Sequence, residues 1–133
     1  MSNLKSNRLN IKFVGRVIYG NGLGRRLGFP TANIETRGET KGMREGVYAG
    51  FTVVDGRTYR SVINIGRSPS VITDGAVRIE THLIDFDGNL YGREVRVELC
   101  AFLREERKFS SLDELKARIS YDKAEAEKIL AQL

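Results

Sequence analysis

Apolar and polar residues alternate through most of this chain, and a period of two predicts strands. Ile11, Phe13, Val17 and Tyr19 keep that period near the start. Two longer runs, Val47 to Val54 and Arg57 to Ile65, flank Asp55-Gly56, the short-range signature of a two-residue hairpin. Val77, Ile79, Thr81 and Leu83 alternate against Arg78, Glu80, His82 and Ile84. A turn at Asp87-Gly88-Asn89 leads to Val95, Val97, Leu99 and Ala101, another alternating run. The period then changes. Ser111 and Glu114 read as a capping box, and Leu112, Leu115 and Ile119 follow at helical spacing. Asp122 with Glu125 predicts a second helix start, with Ala126, Ile129, Leu130 and Leu133 on one face. The charged, glycine-punctuated stretch from Glu35 to Glu45 reads as a loop. Strands followed by helices indicate an α+β or barrel-plus-helix domain. Closing the sheet would remove its exposed edges.

The 133 residues are enough for one domain that buries a core without disulfides or a structural metal. Residues 1–10 read as a short disordered arm or expression remnant, and 11–133 as the folded unit. Hydrophobic content of 41% and charged content of 29% fit a soluble globular protein. No apolar run approaches membrane-spanning length, and the polar start has no apolar h-region. The single Cys100 fits a reducing compartment, so a cytoplasmic location without membrane contact is expected. One Cys and one His are too few for a zinc or iron–sulfur site. The net charge is +5, with much of the excess in Lys5, Arg8, Lys12, Arg16, Arg25 and Arg26. Without a long basic run or an RNA-binding aromatic motif, it reads as a modest attraction for phosphates and not as a nucleic-acid track.

The chemistry concentrates between Gly20 and Asn33. Gly20, Gly22, Gly24 and Gly28 let backbone N–H groups approach an anion, and Arg25 and Arg26 offer forked phosphate donors. The Pro30-Thr31-Ala32-Asn33 ending places a hydroxyl and an amide oxygen two residues apart, on the same side of an extended chain. Both suit Mg²⁺, which takes few protein ligands plus phosphates. The segment reads either as a lid and metal corner for a nucleoside triphosphate or as a plain glycine-rich hairpin before a strand. It is not a Walker A loop, since no Gly-Lys-Ser/Thr follows. No helical pattern follows either, as a dinucleotide fingerprint would need.

Gly24-Arg25-Arg26-Leu27-Gly28-Phe29-Pro30-Thr31-Ala32-Asn33 resembles the signature of the riboflavin kinases. Further blocks agree in order and spacing: Gly46-Val47-Tyr48-Ala49, Asn64-Ile65-Gly66, Glu80 to Gly92, and Leu103 to Leu115. The resemblance runs from about Phe13 to about Ile129. It implies a mainly β fold, a six-stranded antiparallel Greek-key barrel with C-terminal α-helices. It also implies transfer of the γ-phosphate of ATP to riboflavin, giving FMN and ADP. In that family the Thr and Asn of the Pro-Thr-Ala-Asn motif hold Mg²⁺ and phosphate oxygens, here Thr31 and Asn33. The lid would comprise Gly20, Gly22, Gly24, Arg25, Gly28 and Pro30.

Glu80 stands between Ile79 and Thr81, where a carboxylate either faces solvent or has a job. The resemblance makes it the general base. His82 reads as structural. Arg104 and Phe109 lie in the closing motif, which borders the flavin in the family, although Phe109 could equally anchor the helix start. Two departures stand out: Arg67-Ser68-Pro69-Ser70 follows Gly66, and Met43-Arg44-Glu45 replaces a loop that often contains Pro. In many bacteria this module is half of a bifunctional FAD synthetase, and no nucleotidyltransferase half lies within these residues. A non-catalytic flavin or nucleotide sensor on the same barrel is the alternative, disfavoured by the joint presence of Thr31, Asn33 and Glu80. A barrel binding single-stranded nucleic acid would want stacked aromatics, and 8% aromatic content without Trp gives it little support.

Overall fold

The computed structural model describes residues 8–18, 28–36, 38–40, 42–66 and 77–133. Six strands and one helix make up the described regular structure: β1 (Ile11–Ile18), β2 (Ala32–Ile34), β3 (Gly46–Val54), β4 (Arg57–Gly66), β5 (Arg78–Leu83), β6 (Glu94–Arg104) and α1 (Leu112–Leu130). The strands close into an antiparallel barrel in the order β1-β2-β5-β4-β3-β6. Strands β3, β4 and β5 form a meander and β6 returns beside β3, which is the Greek-key arrangement.

Period-two patterning sends one set of side chains inward. Phe13, Val17, Ile34, Ile63, Ile65, Ile79, Val95, Val97 and Leu99 fill the barrel and are all nearly or wholly buried. Asp55 and Gly56 both take positive φ, 52° and 75°, as a two-residue hairpin turn requires. Inside the barrel lies one polar thread. Thr52 of β3 meets Ser61 of β4 at 2.9 Å and Thr81 of β5 at 2.8 Å, and all three are fully buried. Ser61 Oγ donates to the Tyr59 carbonyl, so the proton order runs Thr81 to Thr52 to Ser61. Each hydroxyl is satisfied, and the thread ties together the strands that carry the site.

Three expectations change. The alternation on β6 does not reach Ala101. A register irregularity opposite Ala49/Gly50 turns Cys100 outward into a second cluster with Ala49, Ala126 and Leu130. Gly50 is required there, because a Cβ would stand 1.9 Å from the Glu98 carbonyl oxygen. The turn expected at Asp87-Gly88-Asn89 is part of a longer connection from Ile84 to Arg93, whose Leu90 plugs the core. There is one C-terminal helix and not several. Ser111 caps it by accepting from the Glu114 N–H at 3.1 Å, and the helix runs straight through Asp122, whose side chain faces the barrel instead of capping. Leu112 is exposed, and the buried helix positions are Asp122, Ala126 and Leu130. Ahead of β1, residues 8–10 are also described. The Leu9 N–H bonds the Cys100 carbonyl at 2.9 Å and Leu9 packs on the core.

Candidate active site

The polar residues expected at the site sit on outward-facing positions of the barrel. On β2, β5 and β4 the inward residues are Ile34, Ile79 and Ile65, so Asn33, Glu80 and Asn64 point out. They are direct register partners: Asn33 opposes Glu80, and Glu80 opposes Asn64. Such neighbours have Cβ atoms about 5 Å apart. The row continues through Val47 on β3 to Arg104 on β6. Four strand spacings separate Asn33 from Arg104, roughly 19 Å measured around the curved barrel wall. Glu80 therefore lies between Asn33 and the closing motif that begins near Arg104.

Thr31 immediately precedes β2, and its Oγ1 donates to Glu80 Oε2 at 3.5 Å. Burial pushes the Glu80 carboxyl above its ordinary value, and the Thr31 hydrogen bond and the Arg78 charge oppose the rise. The result is a carboxylate more basic than a solvated one. Two residues on along β5, His82 Nδ1 meets the Pro30 carbonyl at 2.8 Å. A carbonyl only accepts, so Nδ1 carries the proton. Burial lowers the His82 pKa and keeps the ring neutral. Phe29 packs edge-on against it at 5.8 Å. His82 thus latches the residue before Thr31, which helps to aim the hydroxyl at Glu80. Gly28 has φ 89°, a left-handed backbone that favours glycine. The lid positions Gly20, Gly22, Gly24 and Arg25 lie outside the described residues.

The Arg104 guanidinium is held by the Asp122 carboxylate through contacts of 2.9, 3.1 and 2.7 Å. Both groups are largely buried, with side-chain exposures of 13% and 4%. Phe109 lies 5.8 Å from Arg104 and 5.1 Å from Arg107, ring centroid to guanidinium carbon. The loop between β6 and α1 is thereby tied to the helix. The departing segment Met43-Arg44-Glu45 joins the same corner, because Arg44 stacks on Phe102 at 3.8 Å and pairs with Glu105 at 3.0 Å. A cleft of about 330 Å³ over β1, lined by Val14, Gly15, Arg16, Glu35, Glu39 and Glu94, contains none of the expected site residues.

The riboflavin kinase family model matches residues 7–130. The chain belongs to the riboflavin kinase family. It is 41% identical over 120 residues to a bifunctional riboflavin kinase/FMN adenylyltransferase of Pseudomonas fluorescens, a match covering 90% of this chain and 38% of that protein. An RNA-binding riboflavin kinase of Bacillus subtilis is 38% identical over 108 residues, covering 81% and 46%. The crystal structure of riboflavin kinase from Trypanosoma brucei superposes with a TM-score of 0.68 at 24% identity, covering 90% and 76%, which supports the fold. The chain spans less than half the length of these two curated relatives.

Within this riboflavin kinase barrel, two polar residues near Glu80 escaped the sequence reading. Burial and the neighbouring Glu45 raise the Glu106 pKa, and the Asn64 amide beside it opposes the rise. The Glu106 carboxylate also abuts Gly66, where a Cβ would stand 2.1 Å from its oxygen. A polar residue between Ile63 and Ile65 was the available signal for Asn64. Glu106 gave no signal of its own within a charged run.

Proposed function

We propose that this domain is an ATP:riboflavin 5′-phosphotransferase, with FMN and ADP as products. The single observation that carries this reading is the outward row. It sets oxygen donors on one side of a carboxylate of raised basicity, with the Phe109 loop on the other.

Glu80 accepts a hydrogen bond from the terminal ribityl hydroxyl and takes its proton as the oxygen bonds to the γ-phosphorus. The bond from that phosphorus to the β,γ-bridging oxygen breaks, and ADP leaves with the electron pair. Thr31 holds Oε2 of Glu80 and fixes the carboxylate's orientation. Phe109 offers a flat apolar face to the isoalloxazine ring. Arg104, occupied by Asp122, shapes that loop more than it offers a free cation.

The donor set suits magnesium: a hydroxyl and an amide oxygen beside a partly exposed carboxylate, which are hard oxygen ligands in small number. Thr31 and Asn33 would hold the ion, which would neutralise phosphate charge. Incubation with riboflavin, ATP and Mg²⁺ should yield FMN on chromatography, and no FMN at any Mg²⁺ concentration would reject the reading. Asn33→Ala should cut turnover at least ~10²-fold and weaken MgATP use, because Mg²⁺ keeps few protein ligands. Wild-type rates in a folded Asn33→Ala protein would remove Asn33 from the metal corner. Among the described residues no helix is long and apolar enough to cross a membrane.

A further inference from the structure

Asn64 has an oxygen with nothing to do. Its Oδ1 is buried and has no hydrogen-bond partner among the described residues. A buried acceptor left unsatisfied is costly, and water, an ion or a ligand can complete it. The amide cannot turn to relieve the oxygen. The Asn64 amide faces the Glu106 carboxylate, and an ionised carboxylate only accepts, so a flipped amide would set oxygen against oxygen. Glu106 is in turn seated on Gly66, two residues along β4, where no side chain leaves room for it. The amide therefore presents a fixed acceptor beside Glu80, on the opposite strand neighbour from Asn33.

That side matters. Thr31 and Asn33 flank Glu80 on the β2 side, where the phosphate donor belongs. Asn64 flanks it on the β4 side, towards the loop that carries Glu106 and Phe109, where the phosphate acceptor belongs. A fixed acceptor next to the base calls for a ligand with an O–H donor next to its reacting O–H. A polyol chain supplies that as a vicinal diol.

Resting on the riboflavin kinase reading, we propose that Asn64 is a specificity-determining residue. Its Oδ1 accepts a hydrogen bond from the ribityl hydroxyl at C4′, adjacent to the reacting one at C5′. Glu106 is the positioning residue that fixes the Asn64 amide. The pair orients the chain so that its terminal hydroxyl meets Glu80, and it rejects flavins whose side chain lacks the neighbouring hydroxyl.

The test compares riboflavin with an analogue carrying hydrogen in place of the C4′ hydroxyl, by kcat/KM and by quenching of flavin fluorescence. The wild-type protein should prefer riboflavin by roughly 5- to 150-fold, the worth of one buried hydrogen bond left unpaired. In Asn64→Ala that preference should collapse to near one, chiefly through loss of rate on riboflavin. Glu106→Ala should erode it as well. Glu106→Gln should restore most of it, since a Gln oxygen can still accept from Asn64. Thermal melts of each variant report folding, and the ratio of two substrates on one folded protein is insensitive to a general loss of active enzyme. Turnover of riboflavin with a preference unchanged in Asn64→Ala, or with no preference in the wild type, overturns this inference alone. A wild-type protein that neither turns over nor binds riboflavin overturns the functional reading, and this inference with it.

Discussion

Glu80→Gln should lower turnover by roughly 10²–10⁴, the usual worth of a positioned base, while riboflavin and MgATP binding change little. The substitution keeps the size of the side chain and much of its hydrogen bonding, so the loss belongs mainly to the transition state. A second consequence has the opposite sign. Burial raises the Glu80 pKa in the folded protein, so ionisation is harder there than in the unfolded chain. The stability that protonated Glu80 contributes is full below the unfolded pKa and is lost as pH rises through the folded one. At neutral pH the charged carboxylate is therefore a liability that Gln relieves. Glu80→Gln should melt higher than the wild type at pH 7, measured without nucleotide or metal. The difference should vanish well below the ordinary carboxyl range. A variant with near-normal turnover would dismiss Glu80 as the base, and Asp85 is the next acid to test. A variant that melts lower at pH 7 would contradict the buried-carboxylate picture of the site.

The opposition of activity and stability at Glu80 also explains what could be read from the chain. Asp55-Gly56 between two alternating runs specified its hairpin locally, because two successive positive φ values need such residues. Strand β5 was legible for a similar reason: Ile79, Thr81 and Leu83 bury one face, and the outward Glu80 breaks no rule of period. The strand order was not legible. The pairings of β2 with β5 and β1 with β6 join distant segments, and barrel closure sets them, not any local signal. The family resemblance supplied the barrel.

The errors have one physical origin, a long-range partner. Asp122 with Glu125 has the form of a helix start, and nothing near it in sequence reveals that Arg104 claims the Asp122 carboxylate. Cys100 interrupts the alternation because the outer face of β6 at that point lies under α1, so both faces of the strand are covered. At the site, Thr31, Asn33 and Glu80 stand out as polar residues in recognisable blocks, and the structure sets them side by side. Asn64 offered only the signal of a polar residue between Ile63 and Ile65, and Glu106 becomes visible only once the loop after β6 folds over Gly66.

Asp122→Ala should be strongly destabilising, although Asp122 lies outside the row of site residues. The Asp122 side chain is only 4% exposed and accepts from both Nε and Nη2 of Arg104, itself 13% exposed. Arg118, one helical turn earlier, adds a contact of 3.4 Å. Removing one partner of a buried pair leaves the other charge without compensation, which costs about 3–5 kcal/mol. For a domain of this length that is a fall in Tm of roughly 10–18 °C. The pair itself need not be a net source of stability, since its desolvation offsets much of its attraction. The double replacement Arg104→Leu with Asp122→Leu should therefore recover most of the loss. The double variant also separates two roles. Its fold should be restored, yet the loop from Glu105 to Ser111 loses the anchor that joins it to α1. Its KM for riboflavin should rise while its melting temperature approaches that of the wild type. A double variant no more stable than Asp122→Ala would show that the pair's value is net attraction. Recovery of both stability and KM would show that Arg104 neither shapes the loop nor meets the flavin.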